Sequence, residues 1–168
     1  MKKGLLFLFI LMSSLSTLAS SHTQTEYEKL TKEISKYLLK GTAKGFTKKY
    51  VPNKKDVLEL AYQKKASQVP FVERLGFYNG ITPTIYNLKN NHYMAFGSLQ
   101  EMLKEKGISA LESIELNSVQ DEAFGDATVK KVIFTIYGSG KSFKIEITGA
   151  YKTSRGWIIM TDIAPSYF

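Results

Sequence analysis

The segment Gly138-Ser-Gly-Lys-Ser142 has the residue types that end a phosphate-binding loop. The position that the first glycine of a Walker loop would occupy holds Thr135 instead. Such a loop must also open a helix, whose N-terminus faces the phosphates. Here apolar and polar residues alternate on both sides of the segment, which indicates two strands. The segment is therefore predicted to be a β-hairpin turn rather than a nucleotide site.

His92 is the one histidine in the body of the chain, since His22 lies beside a predicted processing site. Acid–base catalysis by His92 with a tyrosine is one hypothesis, although the sequence favours a protein that is not an enzyme. A lone histidine without cysteine does not make an ordinary zinc site, and we expect no metal and no cofactor. The acids Asp121, Glu122 and Asp126 lack EF-hand spacing and are interpreted as a polar connection between two strands.

Aromatic side chains are the candidate ligand-binding residues. They could line the mouth of a pocket and stack on an apolar or sugar-like ligand, whereas the alternative is that they pack in the core. The candidates are Tyr78, Tyr86, Tyr93 and Trp157, with Phe96 beside them. On this basis the leading hypothesis is a non-catalytic module that binds a small ligand or an envelope protein between its helices and its sheet.

The first residues have the layout of a secretory signal peptide. Met1-Lys2-Lys3 precedes the apolar run Gly4–Met12, and small polar residues follow as far as Ser21. The run is too short to span a membrane. We therefore predict a signal peptide over residues 1–21, a single α+β domain over residues 22–168, and a periplasmic or secreted protein that does not span the membrane.

The positive charge is concentrated in one part of the chain. Residues 22–65 carry eleven lysines and five acids, whereas residues 66–168 are balanced, with ten basic and ten acidic groups. Lysine without arginine favours diffuse attraction over bidentate recognition. Weak contact with anionic envelope polymers or lipid heads is therefore a third hypothesis, while secretion and the lack of a nucleic-acid-reading motif argue against nucleic acid.

Helices are predicted in the first two thirds of the chain. Apolar spacing indicates a helix over residues 25–40, stopped by Gly41, and a second that begins near Asn53. Its buried stripe would comprise Val57, Leu58, Ala61 and Tyr62. Between residues 68 and 91 we expect a short helix and loops. A third long helix would start near His92 and end at Gly107, and its marked positions are Tyr93, Phe96, Leu99, Met102 and Leu103.

Strands are predicted after Gly107. The period changes to two at Ile114 and Leu116, and then over residues 128–137, 141–152 and 156–163. Helices first and strands afterwards predict an α+β domain, with N-terminal helices packed on a curved antiparallel sheet of about four strands.

This order of elements, with the final strand Gly156-Trp-Ile-Ile-Met-Thr-Asp-Ile163, resembles the nuclear transport factor two-like (cystatin-like) superfamily. The chain is also similar to small secreted proteins of Gram-negative bacteria with that fold. The shared segments are Tyr50-Val-Pro-Asn-Lys-Lys-Asp56, Lys106–Ile108 and the hairpin Gly140–Phe143. The resemblance implies a cone-shaped fold in which a curved sheet wraps the helices. It implies no single activity, because the superfamily holds enzymes, transport factors and binding modules.

Overall fold

The structure is a computed structural model that describes residues 24–63, 81–124 and 127–166. Within these ranges helices precede strands, so the class is α+β as predicted. Helix α1 spans residues 24–40. The other elements are α2 (Ala43–Tyr50), α3 (Lys54–Gln63), α4 (Ile81–Glu105), β1 (Ser113–Phe124), β2 (Ala127–Gly138), β3 (Lys141–Thr153) and β4 (Gly156–Pro165).

The four strands form one antiparallel sheet in the order β1-β2-β3-β4. The pairing register shifts between Leu116 and Ser118 on β1 and between Thr148 and Ala150 on β3. Each irregularity adds a residue to one strand, which bends it and increases its twist. The sheet is therefore curled, but it is not closed, and β1 and β4 are its two edges.

The turn between β2 and β3 has the conformation that the sequence predicted. Gly138 pairs with Lys141, so Ser139 and Gly140 form a two-residue turn. Both residues have positive φ, 54° and 68°. Two successive positive values match the right-handed twist of a hairpin. The apparent phosphate loop is thus a β-turn, and a strand follows it instead of a helix.

One face of the sheet packs against α1, α2 and α4, and the side chains of these helices fill that face. Phe46 lies at the centre, with Phe96 stacked on it at 4.6 Å between ring centroids. The largest fully buried side chains include Tyr50, Phe46, Phe96, Phe134, Leu30, Ile34, Leu60, Leu99, Leu103, Ile108, Ile136 and Ile145. Most of them belong to this core.

The distal end of the β3–β4 hairpin is covered on both faces. Ile159 belongs to the main core, whereas its neighbours Ile158 and Met160 join a second cluster with Val57 and Leu60 of α3. Successive strand residues point to opposite faces of a sheet. The consecutive apolar residues of β4 are therefore explained by burial on both sides.

A local cap fixes the start of α3, and Arg155 ties that helix to this hairpin. Asn53 caps the helix, because its Oδ1 accepts from the amides of Lys55 (2.8 Å) and Asp56 (3.1 Å), and the Asp56 carboxylate accepts from the amide of Asn53 (2.7 Å). Arg155, in the β3–β4 turn, donates to Asp56 and also to the carbonyl of Val51 (2.8 Å). The hairpin turn is thereby fixed to the end of α2 and the start of α3.

The helical region differs from the sequence prediction in three ways. Residues 43–50 form a helix that the sequence analysis did not identify. Helix α4 begins at Ile81, well before the predicted start near His92, because Pro83 lies in its first turn, where a missing N–H is tolerated. Tyr62, which was expected to be buried, is exposed, and Leu60 takes its place in the core.

The first strand is also longer than predicted. Asp121 and Glu122 lie within β1 rather than in a connection, so that interpretation was wrong. Lys130 and Lys131 on β2 pair with them, at 2.7 Å to Asp121 and 3.6 Å to Glu122. These cross-strand ion pairs explain how acidic residues are accommodated in a strand.

Two further predictions concern the ends of the chain and the membrane. The proposed signal peptide, residues 1–21, lies outside the described residues, as does residue 126. Among the helices that the structure describes, none has the length and apolar character needed to cross a membrane.

Candidate functional site

His92 is buried in the middle of α4 rather than lying at a helix start. Its Nδ1 is 2.8 Å from the carbonyl oxygen of Leu88, so Nδ1 carries the proton and Nε2 is left as an acceptor. Nε2 has no hydrogen-bond partner among the described residues. Burial lowers the pKa of His92, while the Leu88 carbonyl and the charge of Asp162 act in the opposite direction. The ring is therefore held neutral.

No tyrosine hydroxyl is hydrogen-bonded to His92 within the described ranges, and its stacking neighbour is Phe46, 6.4 Å away between centroids. Tyr93, next in sequence, is rotated by about 100° around α4 and is half exposed. Within the described part of the chain, the arrangement therefore brings neither a proton donor nor a substrate-accessible surface to the imidazole. What it provides is a neutral polar ring packed in the core.

The structure does not gather the predicted aromatic candidates at one site. Tyr86 and Tyr93 are 64% and 51% exposed and are seven positions apart, which places them on the same outer face of α4. Trp157 is instead packed against Tyr27, with ring centroids 5.1 Å apart, at the edge of the main core. Tyr78 lies outside the described residues.

Exposed lysines lie on the first two helices. We call Lys29, Lys32, Lys36, Lys40, Lys44 and Lys48 the lysine face. All of them are exposed, and none makes an ion pair within the described part of the chain. The four on α1 fall within an arc of about 80° over about 16 Å of helix, at a rotation of about 100° and a rise of about 1.5 Å per residue.

Two of the acids on α1, Glu26 and Glu33, are paired with lysines outside the lysine face, whereas Glu28 lies beside Lys29 and Lys32. Glu33 accepts from Lys49 Nζ at 2.8 Å and from the hydroxyl of Tyr50 at 3.2 Å. The Lys49 hydrogen bond is the main cause that lowers the pKa of Glu33, so this carboxylate is ionised and neutralised in place. Glu26 is paired with Lys152 of β3. The lysine face therefore keeps most of its positive charge.

Aromatic packing holds α1 and α2 side by side. The ring of Tyr37 on α1 lies edge-on to Phe46 (6.5 Å) and to Tyr50 (5.8 Å) on α2. Between the helices, the side chain of Gln100 donates to the carbonyl oxygens of Leu38 (2.9 Å) and Gly41 (3.2 Å). These contacts fix α2 beside α1, and the exposed lysines of the lysine face lie on these two adjacent helices.

A groove of about 390 Å³ lies between α1 and β1. Its walls combine apolar and charged side chains. They are Glu28, Thr31 and Lys32 from α1 and Leu111, Glu112, Ser113, Ile114 and Leu116 from the start of β1 and the residues before it. Because both charged and apolar groups line it, the groove suits an amphipathic occupant.

The described residues contain no group of three or more His, Cys, Asp or Glu side chains able to hold a metal ion. No protein-family model matches the chain, and neither a curated protein nor a solved structure matches it.

The sequence indicated the lysine-rich helix but missed two features of the site. The neutralisation of Glu33 by Lys49 joins residues on different helices, and the unpredicted helix α2 is needed to bring them together. The groove joins α1 to the start of β1, and no short-range signal marks that contact. Only the lysine spacing on α1 could have been used to find the basic surface.

Proposed function

We propose that this protein is a non-catalytic, secreted module of the bacterial envelope that attaches to surfaces bearing closely spaced anionic groups through its lysine face. The observation that carries the proposal is the set of six exposed lysines without ion pairs in the described ranges, beside a Glu33 that Lys49 neutralises. The non-catalytic class agrees with His92, whose ring is buried and lacks a reactive partner.

The chemistry of lysine sets the kind of partner. An ammonium group is a compact point charge on a flexible stem, so it follows phosphate or carboxylate groups in many arrangements. The only arginine among the described residues, Arg155, is used internally by Asp56 and by the carbonyls at the end of α2. We therefore infer recognition of charge density, on lipid phosphates or on a phosphate polymer, rather than of one particular molecule.

The expected strength follows from the number of lysines. A lysine close to an anionic membrane contributes about 1 kcal/mol at physiological salt, so six acting together give reversible binding of moderate strength. The described large apolar residues with high exposure are Tyr62, Tyr86, Tyr93 and Met94, and none of them is on α1 or α2. Attachment through the lysine face is thus expected to be electrostatic, without insertion of apolar side chains.

A binding assay with two probes tests the proposal. Residues 22–168 are mixed with vesicles of neutral phosphatidylcholine, with vesicles that also contain phosphatidylglycerol, and with soluble polyphosphate. The test variant carries Lys29→Glu, Lys36→Glu and Lys40→Glu. The matched control carries Lys89→Glu, Lys104→Glu and Lys141→Glu, which make the same change of net charge at exposed positions outside the lysine face.

The proposal expects binding to one or both anionic probes, none to neutral vesicles, and a loss of roughly tenfold or more in the test variant, as removal of several contacts of about 1 kcal/mol predicts. Vesicle binding without polyphosphate binding would assign lipid heads, and the reverse would assign a polymer. Equal binding by the test and control variants would overturn the proposal, because net charge alone would then explain the attraction.

A further inference from the structure

Strand β1 offers an open edge of the sheet. On one side it pairs with β2 along its whole length. Among the described residues, the backbone of β1 makes no hydrogen bond to any element other than β2. The other edge, β4, has a helix beside it. Helix α4 contributes Phe96 to the main core on one face of the sheet and Ile85 to the second cluster on the other face, so it runs past β4. An unpaired edge is a template for one more strand.

The groove lies along this open edge and is apolar on its inner side. Ile114 and Leu116 are half-buried and pack on the main core, as does Leu111. The groove runs from Leu111 to Leu116, about 20 Å of extended chain at about 3.3 Å per residue. Its length and its apolar inner side fit a segment of about six residues.

Two carboxylates with spare acceptor capacity lie near this edge, Glu112 in the groove wall and Glu115 on the face of β1 opposite to Ile114 and Leu116. Glu112 Oε1 accepts from the amide of Ser139 at 2.6 Å, and Glu115 Oε2 accepts from the hydroxyl of Tyr137 at 2.7 Å. The second oxygen of each has no hydrogen bond within the described ranges, and neither does the side-chain carboxylate of Glu28 on the opposite wall. Between residues 107 and 124 there are four acids and no lysine or arginine. Asp121 and Glu122 are paired with lysines of β2, so the unneutralised negative charge of this edge comes from Glu112 and Glu115.

We propose that β1 binds an extended, basic segment of a partner protein, which adds to the sheet as a fifth strand. The partner's backbone supplies the hydrogen bonds that the β1 edge lacks. Apolar residues at alternate positions face Ile114 and Leu116, and the lysines or arginines between them reach Glu115. A basic residue at the end of the segment reaches Glu112, which precedes the strand. This alternation follows from the two-residue period of a strand.

A second copy of this chain is a poorer occupant. Antiparallel pairing of β1 with itself would bring Glu112 and Glu115 of one copy close to the same acids of the other. Like charges directly opposite each other destabilise a pair of strands. The bulge between Leu116 and Ser118 also limits the length over which two copies could pair. The charge of the edge therefore favours a basic partner.

The inference does not depend on attachment through the lysine face. Only Lys32 belongs to both surfaces. The experiment therefore avoids Lys32 and uses a soluble, cationic probe, which the lysine face repels. A failure of the vesicle assay would leave this binding unaffected, and a failure of the peptide assay would not affect the vesicle result.

The test uses a labelled peptide, Lys-Val-Lys-Val-Lys-Val-Lys with blocked ends, titrated with the mature protein by fluorescence anisotropy. Three comparisons accompany it: the same peptide N-methylated at alternate residues, the peptide with glutamate in place of lysine, and the protein variant Glu115→Lys. The control variant Glu101→Lys makes the same charge change at an exposed position on α4, away from the groove. Circular dichroism confirms that both variants are folded.

The proposal expects saturable binding that falls at least tenfold with the methylated peptide, with the glutamate peptide and with Glu115→Lys, but not with Glu101→Lys. Methylation removes amide donors and leaves the side-chain charge unchanged, so it separates strand addition from plain attraction. Equal binding of the methylated peptide would overturn the proposal. So would a dimer of the protein in sedimentation equilibrium that Glu115→Lys dissociates, because a second copy would then occupy the edge.

Discussion

The guanidinium of Arg155 and the carboxylate of Asp56 join the last hairpin to the helices, with 2.6 Å between Nη2 and Oδ2 and 2.9 Å between Nε and the same oxygen. Asp56 is almost fully buried, whereas about a third of the Arg155 side chain is exposed. Arg155 also donates to the carbonyls of Lys48 (3.1 Å) and Lys49 (2.8 Å). One side chain thus satisfies a buried acid and the open carbonyls at the end of α2.

Removal of this arginine is expected to destabilise the fold. Arg155→Ala leaves the buried Asp56 without its cation, which costs about 2–3 kcal/mol of unfolding free energy. Arg155→Lys keeps the charge but loses the planar fork, so it should cost about half as much. Urea unfolding measures both changes. Lys141→Ala, at the other hairpin turn, is the control. If Arg155→Ala lowers the unfolding free energy as little as the control does, Arg155 does not stabilise the buried Asp56.

The burial of His92 predicts that stability depends on pH. Because the folded-state pKa lies below the ordinary value of about 6.5, the unfolded chain binds more protons near and below that pH. The contribution of neutral His92 to the free energy of unfolding is present above about pH 6.5. It is lost as the pH falls towards the folded-state pKa, by up to about 1.4 kcal/mol per pH unit. Urea unfolding of the wild type between about pH 7.5 and about pH 5 measures the slope.

The variant His92→Phe separates this histidine from other titrating groups. It keeps a ring against Phe46 and removes the titrating nitrogen and the unpartnered Nε2. Its unfolding free energy is expected to change less over the same pH range than that of the wild type. An equally steep slope in the variant would show that other groups cause the loss.

Two glycines with similar backbone angles should respond differently to alanine. Gly149 has φ +72° and a Cβ there would lie 2.8 Å from Thr161 Oγ1, whereas Gly140 has φ +68° and open space around it. The left-handed conformation costs about 1–2 kcal/mol for alanine at either site. We therefore expect Gly149→Ala to be the more destabilising by about 1 kcal/mol or more, because a tight contact adds to the strain. Equal losses of stability in the two variants, measured by thermal or urea unfolding, would contradict the close approach of Thr161 to Gly149.

Local patterns were sufficient to predict much of this fold. The alternation around Gly138-Ser-Gly-Lys-Ser142 predicted the hairpin, and Asn53 with Asp56 predicted the start of α3. Both signals act over a few residues, so they need no knowledge of the tertiary structure. The fold class followed from their order along the chain. The superfamily resemblance remains a prediction, since no known structure matches the chain.

What the sequence did not predict depends on contacts between distant residues. Helix α2 has 8 residues and few apolar side chains, and Phe46 and Tyr50 are buried because α1 and α4 pack on them. The pairing of Asp121 with Lys130 depends on the strand register, which the sequence does not display. Likewise, Tyr86 and Tyr93 are aromatic but exposed. Residue type alone could not separate a pocket wall from an outer helix face.

The most direct test of the central claim is the salt dependence of binding to anionic vesicles. Between about 0.1 M and about 1 M salt the screening length shrinks from about 10 Å to about 3 Å. If the lysine face carries the attachment, the affinity of the wild type should fall by roughly tenfold or more over that range. The variant with Lys29→Glu, Lys36→Glu and Lys40→Glu should bind weakly at every salt concentration. Wild-type binding that is tight and insensitive to salt would contradict electrostatic attachment.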